Sequence, residues 1–252
     1  MKDIQNLRDY RRISIRKVGV KTISYPVTVL DRAKRVQYTV ATVNMYVNLP
    51  HHFKGTHMSR FVEILNRFHG NFNLRAFHSI LEEMKTRLEA EAAHLEIEFP
   101  YFLQKSDSRG EIGQDRYLCR LHGSLQEDDD LALEIDVPVY QPCSVIETGE
   151  LPRSPGHWGQ ARVEVRFRQF IWIEELIALV ESALIGGERD IDSVESVCRR
   201  VGQVLAEHDS ISWFKVVVEN FAHGYTTFAT ISNARFDHTV QTGAEARVLQ
   251  TQ

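Results

Sequence analysis

Cysteine is scarce in this chain, with three in 252 residues, Cys119, Cys143 and Cys198. Three are too few for a disulfide framework, and the odd count suits a reducing cytosol, so a cytoplasmic location is expected. No apolar run approaches the ~20 residues that a membrane-spanning helix requires. Residues 1–12 are charged throughout and lack the apolar core of a secretion signal. No glycine-rich fingerprint follows a strand and no βαβ alternation occurs, which excludes Rossmann and P-loop readings. Positive charge is not in excess either: the formal net charge is −4, which offers no electrostatic case for a nucleic-acid partner. What remains is a globular composition, 43% apolar and 25% charged, long enough to bury a core as one large domain or two ordinary ones.

The most informative stretch runs from Phe53 to Phe61, Phe-Lys-Gly-Thr-His-Met-Ser-Arg-Phe. It sits where an alternating strand (Val36 to Leu49) gives way to a helix expected to begin near Met58. Gly55 frees the backbone, and Thr56 or Ser59 can cap the first turn. Lys54, His57 and Arg60 converge on that helix N-terminus, whose free N–H groups and dipole favour anions such as phosphate. A well-capped helix with a solvated basic rim is the plainer alternative.

Around this corner the chain reads as two copies of one pattern. Residues 1–12 form a polar arm. The first unit, 13–126, has strands at Ile23 to Leu30 and Val36 to Leu49, joined by a short connector at 31–34. Val36, Tyr38, Val40 and Thr42 share one side of the second strand. Met58, Phe61, Leu65 and Phe68 mark one helix, and Leu74, Phe77, Leu81, Met84, Leu88 and Ala92 a longer one. Strands at Leu95 to Leu103 and Tyr117 to Leu125 follow. The second unit, 131–232, has a strand at Leu131 to Tyr140, a Pro/Gly/Ser-rich excursion over 141–159 and a strand at Arg162 to Phe170. Helices over 173–184 and 194–205 come next, then strands at Trp213 to Phe221 and Thr226 to Ile231. A polar tail, 233–252, is expected to be disordered. Tandem ββααββ units imply an α+β fold, with helices on one face of antiparallel sheets. Open sheet edges then predict a homo-oligomer, in which a neighbour can complete a site.

Three residues stand at predicted strand ends: Cys143 in Gln-Pro-Cys-Ser, His157 in Pro-Gly-His-Trp and His223 in Ala-His-Gly. Each taken singly reads as an ordinary buried thiol or turn residue. Together, a thiolate and two imidazoles suit a borderline-soft divalent metal, with a position left for water. No Cys-x-x-Cys or His-x-x-x-His spacing reinforces the set. Glu195 follows Asp192-Ser193-Val194, where Asp192 as N-cap and Glu195 three positions on make a capping box. It could instead offer two acceptors to adjacent N–H donors of a purine or pterin. Glu181, Glu188 and Asp190 are helix-end charges or possible ligands.

These residues resemble the type IB GTP cyclohydrolases, of the tunnelling-fold superfamily. The resemblance rests on Lys-Gly-Thr-His-Met-Ser-Arg-Phe (54–61), Ala-Thr-Val-Asn-Met-Tyr-Val-Asn-Leu-Pro-His-His (41–52), Phe-Ile-Trp-Ile-Glu-Glu-Leu (170–176) and Val-Glu-Asn-Phe (218–221). It implies conversion of GTP to dihydroneopterin triphosphate with release of formate, early in folate and pterin biosynthesis. A metal-bound water attacks C8 of guanine in that chemistry. The implied divalent metal is zinc, iron or manganese, held by Cys143, His157, His223 and a carboxylate. Glu195 aligns with the residue that anchors the base, and Lys54, His57 and Arg60 with the triphosphate corner. The sequence also departs from the family. Gln141 replaces the first cysteine of Cys-Pro-Cys-Ser, and Tyr225 replaces the second histidine of Ile-His-x-His. The segment carrying Lys-Arg-x-Asp-Glu is reduced to Ala-Leu-Ile-Gly-Gly-Glu-Arg-Asp-Ile-Asp-Ser (183–193). The carboxylate ligand then falls to Glu188, Asp190 or Glu181, the pattern of a diverged member. The alternative reading is a non-catalytic or changed-substrate paralogue that keeps a purine or pterin pocket.

Overall fold

A computed structural model describes residues 15–33, 35–49, 57–68, 74–106, 112–127, 129–140, 157–184, 193–222 and 224–233. Eight strands follow one another in both sequence and space: β1 (Ile15–Leu30), β2 (Val36–Leu49), β3 (Ala92–Ser106), β4 (Ile112–Leu125), β5 (Asp129–Tyr140), β6 (His157–Phe167), β7 (Ile211–Ala222) and β8 (Tyr225–Ser232). Every neighbouring pair is antiparallel. Helices α1 (Met58–Arg67) and α2 (Leu74–Arg87) lie between β2 and β3, and α3 (Ile173–Leu184) and α4 (Val194–Glu207) between β6 and β7. This is the predicted α+β architecture.

Alternation decides the layers. In β2 the buried set is Ala41, Val43, Met45, Val47 and Leu49, which joins Leu95 and Ile97 of β3 and Ile135 and Val163 further across. The helices add Phe61, Ile64, Leu65, Phe77, Val180 and Val201 to the same core. Burying a side chain of this size stabilises by about 1.5–3 kcal/mol, so this one face supplies the cohesion. Val36, Tyr38 and Val40, which the sequence placed together, lie on the opposite and exposed face.

Several boundaries differ from the sequence reading, each for a local reason. β1 starts at Ile15 rather than Ile23, because a bulge between Val20 and Ile23 breaks the alternation that marks a strand. Ala92 belongs to β3, not to the second helix. α2 stops at Arg87, where Glu89 takes a left-handed φ of 48°. The Ala90 N–H donates to Lys85 O and the Glu89 N–H to Thr86 O, a Schellman closure with no glycine to announce it. The sixth strand ends at Phe167, since the Arg168 N–H turns aside to Ser210 O. His57 is the N-cap of α1 and makes no side-chain cap bond. Ser59 sits inside the helix, and Thr56 lies outside the described residues. The arm 1–12 and the tail from residue 234 also lie outside them.

Candidate functional site at the strand ends

The antiparallel order gives the sheet two ends. Tyr140, the last residue of β5, is the Cα partner of His157, the first of β6. Gly159 pairs with Asn220, and Ala222 pairs with Tyr225 across the β7–β8 hairpin. Residues flanking Cys143, His157 and His223 therefore share one end of the sheet, on adjacent strands. Cys143, His223 and Glu188 themselves lie outside the described residues, as does the side chain of His157. Among the described residues, no three His, Cys, Asp or Glu side chains are placed to hold a metal.

α4 reaches the same end. Gly202 lies against Ile231 and Phe214, and Cys198 donates its thiol toward Val216 O at 3.8 Å and Ala229 O at 3.7 Å. Moving toward the N-terminus of α4 thus moves along β7 toward Asn220. The N-cap is Ser193 rather than the expected Asp192; its hydroxyl accepts from the Ser196 N–H at 3.2 Å. Glu195 sits in the first turn, exposed. Its own backbone N–H and then the Ser193 hydroxyl hold its carboxyl below the ordinary range. A charged acceptor is therefore displayed at this helix start.

The basic corner occupies the other end. The Arg60 N–H donates to His57 O at 3.1 Å, and the Arg60 guanidinium reaches Arg87 O at 3.5 Å. Glu91, four residues on, donates its N–H to Asn48 O, which places the start of α1 beside the C-terminal end of β2. Lys54 lies outside the described residues. Thr42, Glu98, Arg120 and Glu134 form one row across β2 to β5. Leu49 is seven residues beyond that row on one side, and Tyr140 six on the other. At ~3.3 Å per residue the two ends are about 40 Å apart along the strands. Within one chain, His57 and Arg60 do not meet the strand ends that flank the thiol and imidazoles.

Other polar arrays were not singled out in the sequence. Tyr101 and Tyr117, cross-strand partners and fully buried, each donate a hydroxyl to a glutamate of α3, Tyr101 to Glu174 at 2.6 Å and Tyr117 to Glu181. Burial, then these hydrogen bonds, push both phenols well above their usual range. Glu181 is thus engaged in fastening α3 to the sheet. On the open face, Glu96 accepts from Tyr46 Oη at 2.6 Å and from Asn44 Nδ2 at 2.9 Å. Beside it Arg120 binds Glu98, Glu134 and Asp136 together. The only sequence sign of these arrays is charge at alternate strand positions, which solvent-facing strands share.

The sequence profile described as type I GTP cyclohydrolase folE2 matches residues 1–186. The chain belongs to the GTP cyclohydrolase FolE2 family. It is 43% identical over 257 residues to the GTP cyclohydrolase FolE2 of Syntrophobacter fumaroxidans, covering 93% of this chain and all of that protein. It is 44% identical over 253 residues to that of Geobacter metallireducens, covering 92% and 96%. The profile match ends at residue 186, ahead of α4. Among solved structures, uricase from Arthrobacter globiformis superposes with a TM-score of 0.64 at 9% identity, over 89% of this chain and 96% of that one. A uricase from Bacillus fastidious gives 0.58 at 8%, over 86% and 92%. That likeness concerns the fold.

Proposed function

We propose that this FolE2 protein is a cytoplasmic, metal-dependent GTP cyclohydrolase of the type IB subclass. It would convert GTP and one net water to dihydroneopterin triphosphate and formate, for pterin and folate biosynthesis. The carrying observation is identity above 40%, across more than nine-tenths of the chain, to proteins named GTP cyclohydrolase FolE2. Cys143, His157 and His223 would hold a divalent zinc, iron or manganese, with Glu188 as the carboxylate left in the short segment. Register supports that assignment, because the residues bracketing all three strand-end candidates lie together. When bound, such a metal lowers the pKa of water and stabilises developing charge. The chain's own residues would do the rest: Glu195 accepts from the base, and Lys54, His57 and Arg60 bind the triphosphate.

A complete site then takes two copies. The basic corner and the strand ends that flank the metal candidates are about 40 Å apart in one chain, so the corner of one subunit serves the strand ends of its neighbour. The edges of β1 and β8, outermost among the described strands, offer backbone groups for such assembly.

Formate release from GTP, measured with metal content, tests the reading directly. Native protein should bind metal and turn over, and Cys143→Ala should lose both. A folded protein that binds GTP without releasing formate would favour the non-catalytic paralogue, which the shortened segment before α4 also suits. Mixing tests the shared site. Arg60→Ala and Cys143→Ala, each inactive alone, should recover about a quarter of native activity after reassembly, since random pairing makes about one site in four intact. No recovery in verified mixed oligomers would place each site inside one chain.

A further inference from the structure

The geometry points to a hinged two-stranded arm, residues 23–41, that swings on the sheet as a unit and uncovers the cavity beneath it. Two breaks in the sheet fall within about two residues of each other along β2. On β1, the bulge between Val20 and Ile23 carries Thr22 at φ 58°, a left-handed conformation that a β-branched residue adopts only under strain. The Thr22 N–H leaves the strand ladder and donates to Asn44 Oδ1 at 2.9 Å. On the other side of β2, pairing with β3 stops at Thr42 and Glu98. Continuing the register would set Val40 against Pro100, which has no N–H to donate. Val40 already faces a proline, Pro26, on β1. Beyond that row β2 and β3 separate around a cavity of about 300 Å³.

Tyr25, Val27 and Ala41 pack the arm into the core. Its inner face, through Val27, Val29 and Leu30, walls a second cavity of about 870 Å³, whose opposite side includes Phe99, Phe170 and Trp172. Its outer face leaves Tyr38 84% and Val40 61% exposed. Near the hinge, Tyr25 Oη donates to Leu65 O at 3.1 Å. Further polar ties lie toward the tip. Gln37 takes the place of a strand partner, donating to Phe102 O at 2.8 Å and accepting from the Phe102 N–H at 3.1 Å. The Arg32 N–H donates to Glu174 Oε1 at 2.8 Å, and the Arg32 guanidinium pairs with Glu175 at 3.0 Å. Arg35 reaches Gln104 at 3.2 Å. Glu174 Oε2 is buried without a hydrogen-bond partner among the described residues, a cost that weakens the closed latch. A cavity flanking the inner side, an exposed outer side and a strained pivot are the marks of a low-stability cooperative unit. The same latch holds the start of α3, so release of the arm also frees that helix end.

Cysteine accessibility in the full chain tests this. Val27→Cys, on the arm's inner face, and Val43→Cys, past the hinge, would be labelled with a thiol reagent and the modified site read by mass spectrometry. Both positions are at least 95% buried. Val27→Cys should react at least about tenfold faster, and adding Gln37→Ala should speed it about tenfold again while Val43→Cys is unchanged. Equal rates at the two positions, or a parallel rise at both on removing Gln37, would mean that the sheet opens as a whole and would overturn the arm. Thr39→Cys, on the arm's half-buried inner face, reads the same motion should Val27→Cys fail to fold.

Discussion

The close approach of β6 to β7 at Gly159 ties the strand-end site to a backbone contact. A Cβ built on Gly159 would lie 1.9 Å from Glu219 O, 2.9 Å from its carbonyl carbon and 3.1 Å from Asn220 Cα. All three obstacles are backbone, so no rotamer change relieves them. Ordinary contact distances would require the strands to part by more than about 1 Å. Overpacking against rigid neighbours costs about 1–3 kcal/mol, and losing a ladder bond adds about 1 kcal/mol. Gly159→Ala should therefore lose about 3 kcal/mol, roughly a hundredfold in the folding equilibrium. Gly224, in the hairpin turn at the same end, is the control: its φ is 89° but nothing lies within 4 Å of an added Cβ. Only the left-handed backbone opposes Gly224→Ala, at about 1 kcal/mol. Urea unfolding with unchanged m-values measures both. Because Gly159 is two residues from His157, formate release per folded molecule should fall with it and stay near native in Gly224→Ala. A loss below about 1 kcal/mol for Gly159→Ala, or a larger loss for Gly224→Ala, would refute the steric argument.

Arg120→Met should cost about 2 kcal/mol in urea unfolding, because among the described residues Glu134 and Asp136 then keep Arg162 alone as a cationic partner; the partial exposure of this face holds the loss below that of a fully buried ion cluster. Burial works against the charge of Glu96, yet the bonds from Tyr46 and Asn44, with His122 and Lys17, hold its carboxyl below the ordinary range. A depressed folded-state pKa stabilises above the unfolded value and is lost as pH falls through the folded one. Tyr46→Phe should accordingly lose about 1 kcal/mol at pH 7, a difference from the native protein that shrinks below about pH 4.5 in urea titrations across pH. Ser193→Ala removes the α4 cap and should lower the unfolding free energy by about 1 kcal/mol, with a weaker hold on GTP if Glu195 is displaced.

Element type and order were legible in residue pattern: β2 alternates without interruption, and α1 repeats Phe61 and Leu65 on one buried stripe. The basic corner, the thiol–imidazole set and Glu195 were equally readable as residues, and the resemblance to GTP cyclohydrolases rested on four stretches including 54–61. Burial side was not, since Val36, Tyr38 and Val40 alternate as well as the core does and yet face solvent. Nor were the Schellman closure at Glu89, the shift of the α4 cap to Ser193, or the tyrosine–glutamate fastening of α3. These depend on backbone angles and on partners 64 and 73 residues distant.

Sequence alone therefore determined the local periodicities and the chemical kinds of side chain available, because both are properties of neighbouring residues. Tertiary structure decided which groups can meet. An antiparallel ladder sends consecutive strand ends to opposite poles of the sheet, so His57 and Arg60 stand at one pole and the flanks of Cys143, His157 and His223 at the other. That separation is a matter of strand direction and register, which no short stretch of residues encodes.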